Sequence, residues 1–247
     1  MAKIGYLRRD GVEFIACEQS TISYPLHNHV SVFTLGFMLE GAIELTTDQG
    51  CKRYQKNDTF LIFPYTPHCL NAKSCYTLLS LCISRDWAAH SELEKMDSAL
   101  ASLLREAVNR PEMEEKIHQA FCGVILMSRM IPPQKETSIS GLKTQLESDP
   151  EQRCSIDDMA KIASVSKYHL IRVFKHEVGL TPHQFQIQNR IRKAQRLLEG
   201  TATMTEAALA AGFCDQSHFI RQFRRLVGLT PKDYRLACNA TPPLLVD

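Results

Sequence analysis

Two textures of hydrophobic pattern divide the chain. Up to about residue 84, apolar residues come in short β-branched and aromatic runs: EFIAC (13–17), SVFTLGFML (31–39), AIELTT (42–47), TFLIFP (59–64) and YTLLSLCI (76–83). Gly, Asn, Asp and Pro separate them, which predicts strands and an all-β sandwich or barrel. From Arg85 to Ile131 the apolar spacing lengthens to three and four residues, in SELEKMDSALASLLREAV and PEMEEKIHQAFCGVILMSRM, and predicts helices. The segment PPQKET (132–137) supports neither period and reads as a linker. Beyond it the whole chain carries the helical period.

The helical half is punctuated twice in the same way. Ser155 opens a helix with acids in its first turn, and Thr203-Met-Thr-Glu206 has the form of a capping box. Gly179-Leu-Thr-Pro182 and Gly228-Leu-Thr-Pro231 each end one helix at a left-handed Gly and start the next with a Thr cap and Pro. An offset of 49 residues aligns Leu170 with Phe219, Arg172 with Arg221, Phe174 with Phe223 and Val178 with Val227. Upstream the offset is 48, pairing Ala160 with Ala208 and Ser164 with Gly212, so the second turn carries one extra residue. Each copy is a short helix, a tight turn and a second helix, the helix-turn-helix plan.

Projecting the second helix of copy one at 100° per residue places Leu170, Val173, Phe174, Glu177 and Val178 inward. Tyr168, Arg172 and Lys175 lie opposite, with His169 and His176 flanking. In copy two Phe219, Phe223 and Val227 point inward, leaving Ser217, Arg221 and Arg224 outward and Gln216 and His218 near the start. Arg can bond guanine in a bidentate way, Gln can do the same to adenine, and Lys or Arg can neutralise phosphates. A single basic helix face is most often only solvated, but duplication at fixed spacing favours a DNA-reading surface. Between the copies, PHQFQIQNRIRKAQRLLE (182–199) is one helix of about 27 Å, comparable with the roughly 34 Å between successive major-groove faces. Its Arg190, Arg192, Lys193 and Arg196 are expected either in solvent or near phosphates.

Charge follows the same division. The net charge of +2 resolves into 14 Lys and Arg against 16 Asp and Glu up to Thr137, and 15 against 11 from Ser138 onward. The basic surplus belongs to the helical half, as expected for a polyanion partner. The nine cysteines form no CxxC pair and are expected mostly as buried small side chains rather than a disulfide framework. Neither a membrane span nor a signal peptide is legible, which leads to the expectation of a cytoplasmic protein without a membrane partner.

Residues 138–237 resemble the AraC/XylS family of bacterial transcription regulators, through SIDDMAKIASVSKYHLIRVFKHEVGLTP, RIRKAQRLLEG and EAALAAGFCDQSHFIRQFRRLVGLTPKDYR. The resemblance implies that one protomer inserts both recognition helices into successive major grooves, usually to activate transcription by contacting RNA polymerase. It carries DNA contact to Lys167, Tyr168, His169 and Arg172, and to Gln216, Ser217, His218 and Arg221. Ser164 departs from the pattern, which often has Gly before the turn.

The β-rich half is similar to a cupin, through His27-Asn-His29, Gly41 and NDTFLIFPYTPH ending at His68. That similarity implies a divalent metal at His27, His29 and His68, or an effector pocket lined by them without metal. The motif's carboxylate is missing, its place being taken by Thr34 or Phe33, and this argues against enzymatic cupin chemistry. Cys69 and Cys75 could join such a site or lie in the core.

The expected architecture is therefore α+β and multidomain. It comprises a cupin-like β-barrel sensor (1–84), a helical dimerisation segment (85–131), a linker (132–138) and an all-α double helix-turn-helix domain (139–240). The expected function is a homodimeric, non-enzymatic regulator of promoter DNA, an activator, responding to a small molecule or metal. A cupin-type metal-dependent enzyme with an auxiliary DNA-binding module is the alternative, and a barrel that only dimerises is a third reading.

Overall fold

The computed structural model describes residues 3–9, 11–90, 98, 100–102, 104, 111–130 and 136–239. The chain divides into two compact units, one formed chiefly by residues before 134 and the other chiefly by those after it. The expected linker falls largely outside the described residues, as do 91–97, 99, 103, 105–110 and 131 of the expected helical segment.

The strands are β1 (Lys3–Arg9), β2 (Val12–Ser20), β3 (Tyr24–His27), β4 (Val32–Glu40), β5 (Ala42–Thr47), β6 (Gly50–Gln55), β7 (Thr59–Ile62), β8 (His68–Ala72) and β9 (Tyr76–Ser84), all but β3 in the first unit. They form two sheets, ordered β1-β2-β9-β4-β7 and β3-β8-β5-β6, rather than one closed barrel. The first sheet is antiparallel throughout. Two helices follow, α1 (Arg85–His90) and α2 (Pro111–Met130).

The central strands β4 and β9 are buried on both faces. On one face Phe14, Phe33, Leu35, Leu81 and Ile83 share a core with Ile117, Phe121, Val124 and Ile125 of α2. The opposite parity contributes Met38, Leu78 and Cys82, also buried. Burial pushes the Cys82 thiol up to about 12, so it behaves as a packing group. Gly36 stands opposite Phe60 in the ladder, where an added Cβ would lie 2.1 Å from the ring. Of the nine cysteines only Cys17 and Cys82 are buried and Cys51, Cys75 and Cys214 are exposed, which corrects the expectation of a mostly buried set.

The second unit contains α3 (Ser140–Ser148), α4 (Ile156–Ile162), α5 (Lys167–Val178), α6 (Pro182–Glu199), α7 (Met204–Ala210), α8 (Gln216–Val227) and α9 (Pro231–Cys238). The 48-residue offset is visible atom by atom in the first helices of the two copies. Ser155 with Asp158 and Thr203 with Glu206 form equivalent capping boxes. Val165 N–H donates to Ala160 O and Phe213 N–H to Ala208 O, both at 3.0 Å.

Each turn then needs one left-handed residue: Gly212 at φ 83° in copy two, Ser164 at φ 53° in copy one. Side chains pay roughly 1–2 kcal/mol for that conformation, against about 0.4–1 kcal/mol of extra chain freedom that Gly brings to the unfolded state. Ser164→Gly should therefore stabilise the unit by about 0.5 kcal/mol in urea denaturation. A loss of stability would show that the Ser side chain itself holds the turn.

After the turns the 49-residue offset takes over, with left-handed Gly179 and Gly228 as C-caps. It extends further than the helix-turn-helix units. Phe174 meets Phe185 and Phe223 meets Tyr234 as edge-on ring pairs, each with centroids 5.4 Å apart. The first turns of α6 and α9 are thus equivalent third helices.

Candidate nucleic-acid interface and histidine cluster

The second helix of each copy is positioned by its N-cap and by a buried apolar stripe. Ser166 accepts from His169 N–H at the start of α5, and Asp215 accepts from Ser217 and His218 N–H at the start of α8. Leu170, Phe174 and Val178 anchor α5, while Phe219, Phe223 and Val227 anchor α8. Glu177 is not part of the inward stripe: it is exposed and accepts from Thr137 Oγ1 at 2.8 Å.

Of the ten residues expected to face DNA, Lys167, Tyr168, His169, Arg172, Lys175, Gln216, Ser217, Arg221 and Arg224 are exposed. His218 is partly buried, its ring edge-on to Phe213 at 5.6 Å and its Nε2 within 3.3 Å of Gln222 Nε2. Arg172 Nη2 donates to His169 Nδ1 at 3.2 Å, and Lys167 lies 3.8 Å from Asp157 and over the Tyr168 ring. The tip of α5 is thus held by its own side chains and by Asp157 of α4, and Arg221 is exposed on α8. A shallow groove on α5 adds one residue to the set, Ile171, beside Tyr168, Arg172, Lys175 and His176. An exposed isoleucine inside a basic helix face was the available sequence signal, and such a group suits the methyl of thymine.

The four basic residues of α6 do not behave alike. Arg190 is half-buried and donates to Pro150 O (2.7 Å), Gly212 O (3.1 Å), Gln152 O (3.3 Å) and Glu151 O (3.4 Å). Burial pulls its guanidinium below the ordinary value. Lys193 pairs with Glu151 at 2.6 Å, and this hydrogen bond holds the Glu151 carboxyl below the usual carboxylate range. Arg192 donates to Asn189 Oδ1 and only Arg196 is exposed, which corrects the expectation that all four lie in solvent or against phosphates.

His27 ends β3, His29 follows in the loop and His68 opens β8. Their potential ligand atoms lie within 4.8 Å of one another. Tyr65 N–H donates to His29 O at 2.7 Å, tying the loop before β8 to the one after β3. His27 Nδ1 is 2.7 Å from Pro25 O and His68 Nδ1 is 2.9 Å from Thr66 O, contacts in which Nδ1–H donates and the neutral ring keeps its lone pair on Nε2. His29 Nδ1 bonds the hydroxyl of Thr34, one of the two residues expected in place of a cupin carboxylate. Cys69 is partly buried and Cys75 is exposed, its thiol donating to Gln19 Oε1 at 3.0 Å; neither belongs to the histidine group.

Comparison with known proteins agrees with this geometry. A helix-turn-helix domain model matches residues 159–237. The uncharacterized HTH-type transcriptional regulator YbfI of Bacillus subtilis is 32% identical over 130 residues, 53% of this chain and 46% of that protein. The HTH-type transcriptional regulator MtrA of Neisseria gonorrhoeae is 31% identical over 117 residues, 47% of this chain and 37% of its own length. The chain thus spans less than half of either relative. Unsaturated fatty acid bound ToxT of Vibrio cholerae strain SCE256 shares the fold at 12% identity, with a TM-score of 0.61 over 96% of this chain and 100% of that one.

The repeated, capped helix-turn-helix joined by one long helix defines a double-headed DNA-binding domain. Residues 159–237 are a helix-turn-helix domain of the kind found in transcriptional regulators, with a β-rich domain ahead of it in the chain.

Proposed function

We propose that the protein is a sequence-specific, double-stranded DNA-binding transcription regulator in which α5 and α8 read successive major grooves. The observation that carries this reading is the duplicated reading head, with nine of the ten expected contact residues exposed on two equivalently capped helices. The names of its relatives support it. Selection from random duplexes should enrich one motif with two half-sites about one helical turn apart. Enrichment of unrelated sequences, with affinity set by salt alone, would reduce the protein to a non-specific polyanion binder.

In this reading the protein acts as a homodimeric activator that contacts RNA polymerase in the cytoplasm, and residues 85–131 supply the dimer face. The described part of that segment also packs on its own sheet through Ile117 and Phe121. The β-rich unit senses the signal, as suits a fold shared with a protein solved with a bound unsaturated fatty acid. We infer that its input is a borderline divalent ion such as Zn2+, held by His27, His29 and His68. The donor set fits: three imidazoles, two with Nδ1 on a backbone carbonyl, the outer-shell arrangement typical of metal-ligating histidines. With Thr34 in place of a carboxylate the site favours binding over cupin enzyme chemistry.

Protein purified without chelator should carry about one equivalent of such an ion, and His27→Ala should lose it. Metal-free wild-type protein that binds none on titration would leave the histidines as the lining of an organic effector site.

A further inference from the structure

Most fastenings in the second unit repeat within each copy, but a few run between the copies and have no equivalent. Gln186 of α6 donates to Pro150 O (3.2 Å) and Gln152 O (2.8 Å), tying the loop before copy one to the helix after it. Arg235 of α9 does the corresponding job in copy two, donating to Ala202 O at 3.2 Å. These bonds consolidate each copy alone.

Arg190 and Arg153 cross over instead. Arg190 holds the carbonyls of Pro150, Glu151 and Gln152 with one part of its guanidinium and Gly212 O, in the turn of copy two, with another. Gly212 lies so close to the same loop that an added Cβ would come within 2.7 Å of Glu151 Cα and O. Arg153 Nη2 donates to the sulfur of Cys214 at 2.8 Å. Cys214 falls in the stretch between Phe213 and the Asp215 cap, where the register passes from 48 to 49. The extra residue of the second turn therefore meets a side chain from the loop that precedes the first copy.

We propose that Arg190 and Arg153, gripping Gly212 and Cys214, form a brace that fixes α8 relative to α5 and so sets which half-site spacing the protein accepts. Both are positioning residues rather than DNA contacts. The inference rests on the DNA-binding reading above. A brace of fixed geometry matters because one inserted base pair displaces the second half-site by about 3.4 Å and rotates it by about 35°. A rigid pair of reading heads then loses its base contacts on one side, whereas a loosened pair can follow.

The test uses the full chain and the selected duplex, alongside duplexes with one base pair added or removed between the half-sites. Wild-type protein should bind the altered spacings at least about tenfold more weakly, the loss expected for one set of base contacts. In Arg190→Ala and Arg153→Ala that discrimination should shrink to about threefold or less, while the effect of a base change inside either half-site stays as in wild type. Arg190→Lys, with one compact ammonium for four carbonyls, should fall between. Should Arg190→Ala not fold, exposed Arg153 provides the independent arm.

Spin labels introduced as unnatural amino acids at positions 176 and 225 give a readout without DNA: the distance distribution should broaden in both alanine variants. Unchanged spacing preference with an unchanged distribution in a folded variant overturns the brace. A wild-type protein that enriches no duplex overturns the DNA-binding reading itself. A uniform loss of affinity on every duplex, with a shallower salt dependence, would make the arginines phosphate contacts instead.

Discussion

Phe223→Ala is expected to lower the stability of the C-terminal unit by about 3–5 kcal/mol. Phe223 is fully buried, 5.5 Å from Phe219 and 5.4 Å from Tyr234 between ring centroids, so its loss opens a cavity between two helices held by other residues. The neighbours cannot collapse into the space without moving α8 or α9. Tyr234 is also tied through its hydroxyl to Glu199 Oε1 at 2.7 Å, which limits relaxation from that side. Domains of this size are stable by only about 5–15 kcal/mol, so the variant sits near the edge of folding. Urea denaturation followed by far-ultraviolet circular dichroism measures the effect. A midpoint unchanged from wild type would mean that the aromatic row is not the core of copy two.

The second large effect concerns binding. Arg221→Ala should weaken the selected duplex by about 5- to 150-fold, the equivalent of about 1–3 kcal/mol for a lost bidentate base contact. Arg221 is exposed on α8, about one turn beyond Gln216 and Ser217. The same change at Arg172 should cost less, because His169 already takes up one of its donors. Fluorescence anisotropy on selected and scrambled duplexes across a salt series separates the possible roles. A base contact weakens the selected duplex alone. Equal loss on both duplexes, with the salt slope reduced by about one, would instead place Arg221 on a phosphate.

What the sequence reveals depends on how local the cause is. The strands β2, β4, β5, β7 and β9 follow directly from apolar runs, since each is buried on at least one face. β6 is not legible that way: Gly-Cys-Lys-Arg-Tyr-Gln is almost wholly exposed at a sheet edge, paired only with β5. β3 is four residues long and includes Pro25, which composition alone reads as loop. In the helical half, caps and left-handed turns depend on one to four neighbouring residues, so the register and its one-residue slip are read from sequence correctly.

Arg190 shows the limit. Its partners lie 22 to 40 residues away and are carbonyl oxygens, which carry no residue identity for a pattern to detect. Exposure of individual cysteines is equally invisible, because the same side chain suits a core or a turn. The three histidines are legible as a motif, while the carbonyls and the hydroxyl that orient them emerge only once the loops after β3 and before β8 are seen together.

The ring pairs Phe174–Phe185 and Phe223–Tyr234 make α6 a member of the first copy as well as the road to the second. The two copies consequently overlap like rooms with a common wall, Phe185 to Asn189 being buried without interruption along it. A shared wall cannot be taken down for one room only. Melting of α6 removes the packing surface of α5 and the anchorage of the turn before α8 together, so a single protomer presents both heads or neither, and its valency toward DNA is fixed by its own architecture.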